Sequence, residues 1–296
     1  MKNQSTAMFV AALVAASAVS WETRAAESPA AGEEDPLMAL LANHKKVAGP
    51  ATAEMDNSTF NLPADYLFTD GDGARTLLEA MGNFTNGSEQ GLLLSPERDW
   101  FVVFEFSDDG YVKDDEKDEL DADKMLQAIK EGNEAGNAER ERRGISPLHI
   151  IGWEQPPRYN ETTHNLEWAT RAESDGGLSV NYNTRLLGRR GVMEVTLVCD
   201  PEILTATLPA YEELLGSFSY RSGETYAEFR SGDKVAQYGL AALVLGGAAA
   251  AGAKLGLFAG LLAFLKKGWK LVAVVIAGIA AGIGKLFGRR RATEES

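Results

Sequence analysis

The sequence predicts an α+β domain, an antiparallel sheet covered by helices, followed by a C-terminal transmembrane helical anchor. Three observations lead there. Apolar runs separated by Gly, Pro, Asn and Asp turns follow one another in hairpin order from Gly91 to Cys199. Segments of helical spacing interrupt them near residues 73–81, 121–143 and 201–216. Finally, Tyr238–Phe287 contains no acidic residue and no proline, in a chain of 296 residues with formal net charge −14. Strands in hairpin order favour an antiparallel sheet, and helices are needed to cover its apolar faces.

The elements follow in order. Lys2 and the run Met8–Val19 have the make-up of a secretory signal, with small residues at Ala16-Ser17-Ala18 and Ala18-Val19-Ser20, so residues 1–20 are assigned as a signal peptide. Residues 21–60 are expected as a linker with one short helix around Pro36–Leu41. Residues 61–232 are expected as the exported domain. Leu62–Phe68 is extended, and Asp72 is placed as the cap of a helix over Gly73–Met81 that Gly82 and Asn83 end. Gly91–Leu94 and Asp99–Phe106 are strands around the turn Ser95–Arg98, and Tyr111–Lys113 returns after the turn Asp108-Asp109-Gly110. Asp121 caps a long helix whose apolar edge is Met125, Leu126 and Ile129. Four strands follow, Leu148–Trp153, a run around Leu166–Ser174, Leu178–Leu187 and Val192–Cys199. Pro201 opens a helix that Gly216 stops, and Ser217–Tyr220 is an edge strand.

The anchor is expected over residues 233–288, as one or two helices at about 238–265 and 269–287, with a basic tail at 289–296. Nineteen residues from Trp269 rise about 28 Å, which matches a bilayer core. Lys254 falls inside the first segment, and a lysine there has to snorkel. Gly252, Gly256 and Gly260, and again Gly278 and Gly282, recur every four residues, a spacing that lets membrane helices approach closely.

Composition excludes some functions. A sequence pI near 4.8 argues against a nucleic-acid partner. One cysteine, Cys199, allows neither an intramolecular disulfide nor a cysteine zinc cluster. No Gly-x-Ser-x-Gly, P-loop or dinucleotide fingerprint is present, and no cofactor is implied.

Two constellations could carry chemistry. Glu105–Asp123 holds ten acids and two lysines. Glu105, Asp109 and Glu116 can be laid on a calcium loop, although the first ligand would be Glu and a strand precedes it. The competing reading is a solvated hairpin tip. His149 and His164, with Trp153, Tyr159 and Trp168 nearby, could supply a zinc site with Glu154 or Glu167 if the hairpin brought them together. Packing histidines are the plainer reading.

Several blocks resemble a bacterial family of predicted membrane-anchored proteins, the domain of unknown function number 2167. They are Trp100–Phe106, Asp109–Asp115, Pro147–Trp153, Val180–Gly188 and Lys234–Ala242. The resemblance implies a secreted domain and a membrane anchor, with no activity or site to carry over. The order of the last strands and helix also resembles, more loosely, the PsbP-like sandwich. The expected function is therefore an extracytoplasmic binding or assembly module on the cytoplasmic membrane, with membrane lipid and a protein partner or self-association as its contacts. The alternatives are a metal-dependent hydrolase using His149/His164 and a calcium-responsive adaptor using residues 105–116.

Overall fold

The structure is a computed structural model that describes residues 36–246 apart from Glu116. Eleven strands are described: β1 (Lys46–Ala48), β2 (Ala51–Glu54), β3 (Ser58–Leu62), β4 (Leu67–Asp70), β5 (Glu89–Leu94), β6 (Trp100–Ser107), β7 (His149–Asn160), β8 (Asn165–Ser174), β9 (Gly177–Leu187), β10 (Val192–Cys199) and β11 (Ser219–Tyr220). Eight of them form one sheet in the order β1-β4-β5-β6-β10-β9-β8-β7, and β11-β3-β2 form a second. Every pair is antiparallel. The helices are α1 (Pro36–Leu40), α2 (Gly71–Ala80), α3 (Ala122–Arg142), α4 (Leu204–Gly216) and α5 (Leu240–Val244).

The two faces of β6 show how the sheet is buried. Trp100, Val102 and Phe104 point to one face, where they meet Phe60 and Leu62 of the small sheet and Tyr211 and Leu214 of α4. Phe101 and Val103 point to the other, where Leu77 and Leu78 of α2 cover them. A strand buried on both faces reads as a continuous apolar run, and Trp100–Phe104 is one. Gly91 lies opposite Phe104 in the register, and a Cβ there would sit 2.2 Å from the Phe68 ring. The missing side chain lets Phe68 reach Phe104.

The long helix α3 covers the β7–β8 end of the second face. Trp168 packs there in a cluster with Met125, and Ile150 with Leu126 and Ile129. Asp121 caps it by accepting the Lys124 N–H at 3.1 Å. Asn137 anchors it to the start of β7, donating to the Leu148 carbonyl at 2.8 Å and accepting its N–H at 2.9 Å.

Several expectations need correction. Residues 46–60, expected as linker, supply β1, β2 and most of β3. The cap of α2 is Asp70, which accepts the Gly73 N–H, and not Asp72, which lies inside the first turn. The β7 strand does not stop at Trp153 but runs through Pro156-Pro157. It lies at the sheet edge, where a proline removes no ladder bond on the open side. Tyr111–Lys113 is not a strand, although Tyr111 forms an isolated parallel bridge to Val235.

The chain from Tyr238 to Val244, taken as the start of the first membrane segment, is part of this domain. Leu240, Leu243 and Val244 are buried with Leu166, Trp168, Leu187 and Val192. Among the described residues no helix is long and apolar enough to cross a membrane. The signal segment 1–20, the anchor beyond Gly246, the basic tail and glycines 252, 256, 260, 278 and 282 lie outside the described residues.

Candidate functional site

One end of the large sheet gathers three irregular segments: the loop after β6, the β7–β8 turn, and the chain that follows β11. Gly110 makes the first of these possible. Its φ is +103°, and a Cβ would meet the Lys234 carbonyl oxygen at 2.6 Å. That close approach lets Tyr111 donate its N–H to Lys234 at 2.9 Å and accept from Ala236 at 2.9 Å. The last segment is tied from the other side. Arg189 grips Asp233 through two donors at 2.7 and 2.8 Å, and holds the Asp233 carboxyl down at about 2. A reciprocal cap between Thr225 and Glu228 fixes the short turn at Tyr226–Glu228.

These ties stack five rings in a row. Phe229 lies on Tyr111 with centroids 4.3 Å apart, Tyr111 on Tyr226 at 4.4 Å, and Tyr226 on His164 at 4.6 Å. Tyr159 closes the row 6.4 Å from His164. The Tyr159 hydroxyl donates to Asp114 at 2.8 Å and meets His164 Nδ1 at 3.0 Å, and His164 Nδ1 is 3.7 Å from the same Asp114 oxygen. His164 itself has φ +54°, the left-handed corner of the β7–β8 turn. The row is not core. Phe229 is 38% exposed, and the other four rings are half-buried.

The electrostatics of the cluster centre on Asp114. Partial burial pushes its carboxyl up, but the Tyr159 hydroxyl, backbone N–H donation, the Tyr226 hydroxyl and His164 outweigh it, and the group stays below the usual carboxylate range. Burial first, then the neighbouring carboxylate, raises Tyr159 above its ordinary value. Burial, together with Tyr111, does the same for Tyr226. The phenols are therefore neutral donors and the carboxylate carries its charge. No lysine or arginine among the described residues lies within ion-pair distance of Asp114; its basic neighbour is His164, 3.7 Å away. The arrangement suits binding of a positively charged or aromatic group. It holds no serine or cysteine beside a base.

The residues expected to bind metal are dispersed. His149 pairs with Glu134 at 2.7 Å at the start of β7, while His164 lies beyond its end, so the length of the hairpin, roughly 27 Å over the eight steps from Asn165 to Glu173 of the paired strand, separates them. The hairpin register places His149 opposite Glu173, not beside His164. Glu154 and Glu167 are engaged by Arg171 and Arg158. In the acidic hairpin, Asp109 accepts from Ser107 at 2.7 Å and from the Tyr238 hydroxyl. Glu116 lies outside the described residues. Among the described residues no three His, Cys, Asp or Glu side chains converge on a metal position. Calcium in millimolar excess is accordingly expected to leave the melting temperature of the full chain in detergent unchanged. A calcium-specific rise that Asp109→Ala removes would restore the adaptor reading. Cys199 is buried, and burial with Asp200 and Asp99 pushes its thiol up to about 12, which makes it unreactive.

Glu105 belongs to a different arrangement. It stands opposite Glu89 on one neighbouring strand and Glu194 on the other, and Glu194 stands opposite Arg185. Arg185 pairs with Glu194 at 2.9 Å, and Glu89 accepts the N–H groups of Asn86 and Gly87 and faces Arg75 at 3.4 Å. Glu105 accepts a hydrogen bond from the Ser88 hydroxyl at 3.0 Å. Burial, then Glu194, with Glu89 adding, pushes its carboxyl up to about 7 against the opposing Ser88 and Arg185.

The fold and this end of it define an α+β protein whose twisted antiparallel sheet presents a half-exposed aromatic row beside a charged carboxylate. The chain belongs to the family described as a protein of unknown function (DUF2167), whose model matches residues 46–279. No curated protein matches it. Among solved structures it is similar to a cyanobacterial PsbP from Synechocystis, at 12% identity over 60% of this chain and 92% of that one, with a TM-score of 0.37. It is also similar to a mutant of the protein Mog1, at 9% identity over 60% of this chain and 96% of that one, with a TM-score of 0.28. The immunity protein TplEi from Pseudomonas aeruginosa is 9% identical over 63% of this chain and 81% of that one, with a TM-score of 0.23. None of these likenesses bears on what the chain does.

Proposed function

We propose that the protein is a binding or assembly module held outside the cytoplasm by a C-terminal anchor in the cytoplasmic membrane, with the aromatic end of its sheet as the recognition surface. The observation that carries this reading is the row Phe229, Tyr111, Tyr226, His164 and Tyr159 beside Asp114. Stacked rings of this kind offer large contact area at low conformational cost, and aromatic residues dominate binding surfaces for that reason. The apolar run Met8–Val19 supports export, and the acid-free stretch beyond Gly246 supports anchoring. A catalytic role finds no support in the cluster, because its histidine and carboxylate face no nucleophile.

A reporter that is active only outside the cytoplasm, fused after Arg221, is expected to be active. Activity confined to a cytoplasm-restricted reporter at the same position would sink the location. Labelling of a cysteine placed at Ser296 in intact spheroplasts separates two spans, which expose it, from one span, which protects it.

A further inference from the structure

We infer that the open edge of β2 takes an extended segment of a partner polypeptide as an added antiparallel strand, one that alternates apolar and basic residues. This surface shares no residue with the aromatic row, and the inference stands whether or not that row binds a partner.

The hydrogen-bond phase of the small sheet comes first. β2 is its outer strand, so one side of the backbone faces β3 and the other faces no strand. The turn between them fixes which groups go where. Met55 donates its N–H to the Ser58 carbonyl at 2.9 Å. Bonded pairs alternate along an antiparallel ladder, so Ala53 with Phe60 and Ala51 with Leu62 are the next bonded pairs. Thr52 and Glu54 therefore turn their N–H and C=O groups to the open side. The far side of β3 shows the same phase: Asn61, opposite Thr52, donates its N–H away from β2, to Ser217 Oγ at 3.1 Å. Among the described residues no group bonds the main chain of Thr52 or Glu54.

An added strand also has a floor to lie on. A cleft of about 210 Å³ borders the edge, lined by Thr52, Glu54, Lys45, Val47, Phe68 and Asp70. That is below the roughly 300–1,000 Å³ of sites that enclose small molecules, and it suits the side chains of an extended segment. Val47 and Phe68 are partners in the β1–β4 register, and Lys45 and Asp70 continue it two residues on, on the same face, with the Asp70 N–H 3.4 Å from the Lys45 carbonyl. Opposite charges side by side leave this floor neutral and its centre apolar, so the inward side chain of the incoming strand is apolar. The outer face asks for the other kind of residue. Ala53 and Met55 are buried, so by alternation the Thr52 and Glu54 side chains point to solvent. The Glu54 side chain is 67% exposed, with Arg221 at 3.7 Å. Arg221 is itself held by the Met55 carbonyl at 3.1 Å, and Lys46 bonds the Leu41 carbonyl. A basic residue across from Glu54 is favoured and an acidic one opposed. The net charge of −14 acts in the same direction at longer range.

The test is a titration of the full chain in neutral detergent with a fluorescent, end-capped peptide of alternating lysine and valine. In an antiparallel pair the residues opposite Thr52 and Glu54 are the outward, basic ones, and their N–H groups face β2. Methylation of the lysine main-chain nitrogens is therefore expected to weaken binding by about tenfold or more, and methylation of the valine nitrogens by about threefold at most. Thr52→Pro removes an open-side N–H and no bond to β3, and is expected to weaken binding about three- to tenfold with the melting temperature kept. Glu54→Lys, at an exposed side chain, is expected to weaken it about two- to fivefold at low salt. Absence of binding, or equal effects of the two methylations or their reversed order, overturns the proposal. Equal affinity for a peptide of the same composition with its lysines and valines in separate blocks also overturns it, leaving only attraction to the net charge. Self-association of the free chain that Thr52→Pro abolishes, without peptide binding, overturns it as well and assigns the edge to a second copy.

Discussion

Truncation of Phe104 to alanine is expected to cost about 3–5 kcal/mol of folding stability, among the largest effects of any single side chain here. Phe104 is 1% exposed. Its ring stacks on Phe60 at 4.9 Å and 15°, and meets the edge of Phe68 at 6.2 Å and 71°. It therefore joins the small sheet to the large one. The neighbours cannot close the gap easily, because Phe68 is already fixed against the bare backbone of Gly91. Urea denaturation of the full chain in detergent, followed by tryptophan fluorescence, measures the loss. A cost under about 1 kcal/mol would mean that the two sheets are not packed as described.

Glu105 sets the second expectation, a loss of stability as pH rises. Its carboxyl has a folded-state value of about 7 against an ordinary 4.5. The folded state thus binds a proton that the unfolded state has released between those values. The contribution is fully present below about 4.5, falls as pH rises towards 7, and is absent above it. About two and a half pH units correspond to roughly 3 kcal/mol. Asp233, held down at about 2, acts in the opposite sense, its contribution being present above the ordinary 3.8 and lost as pH falls through 2. Glu105→Gln keeps a neutral group on the Ser88 hydroxyl. The variant is expected to match the parent near pH 4.5 and to exceed it above pH 7 by up to roughly 3 kcal/mol. Parallel denaturation profiles from pH 5 to 8 for parent and variant would refute the buried carboxylate row as the cause.

Some of this was legible in the residues. The β6 and β10 strands announce themselves because burial on both faces leaves little that is polar in Trp100–Phe104 or Val195–Cys199. The early strands do not. Residues 46–62 are rich in Ala, Thr, Ser and Asn, and their apolar positions, Ala53, Met55, Phe60 and Leu62, are divided by the turn at Asp56-Asn57. Each strand is too short for alternation to register. For the site, Tyr159 and His164 stood out as neighbours in sequence. Asp114 stood out only as one acid among ten, and Tyr226 and Phe229 lie in a segment without periodicity. Their meeting depends on the bridge between Tyr111 and Val235, a contact across more than a hundred residues that no local pattern encodes. The calcium and zinc readings meet a related limit. Spacing along the chain cannot tell that Glu105 points into the sheet's buried face, or that His149 and His164 lie at opposite ends of β7.

The edges of the large sheet have a consequence for crowding. At one edge, β1 is three residues long. At the other, β7 departs from regular register in three places and carries two prolines that offer no N–H. Neither edge can template a further strand over any length. Copies concentrated on a shared surface could therefore touch often without their sheets fusing into a fibre. Association through this sheet falls to side chains, and single substitutions can change it.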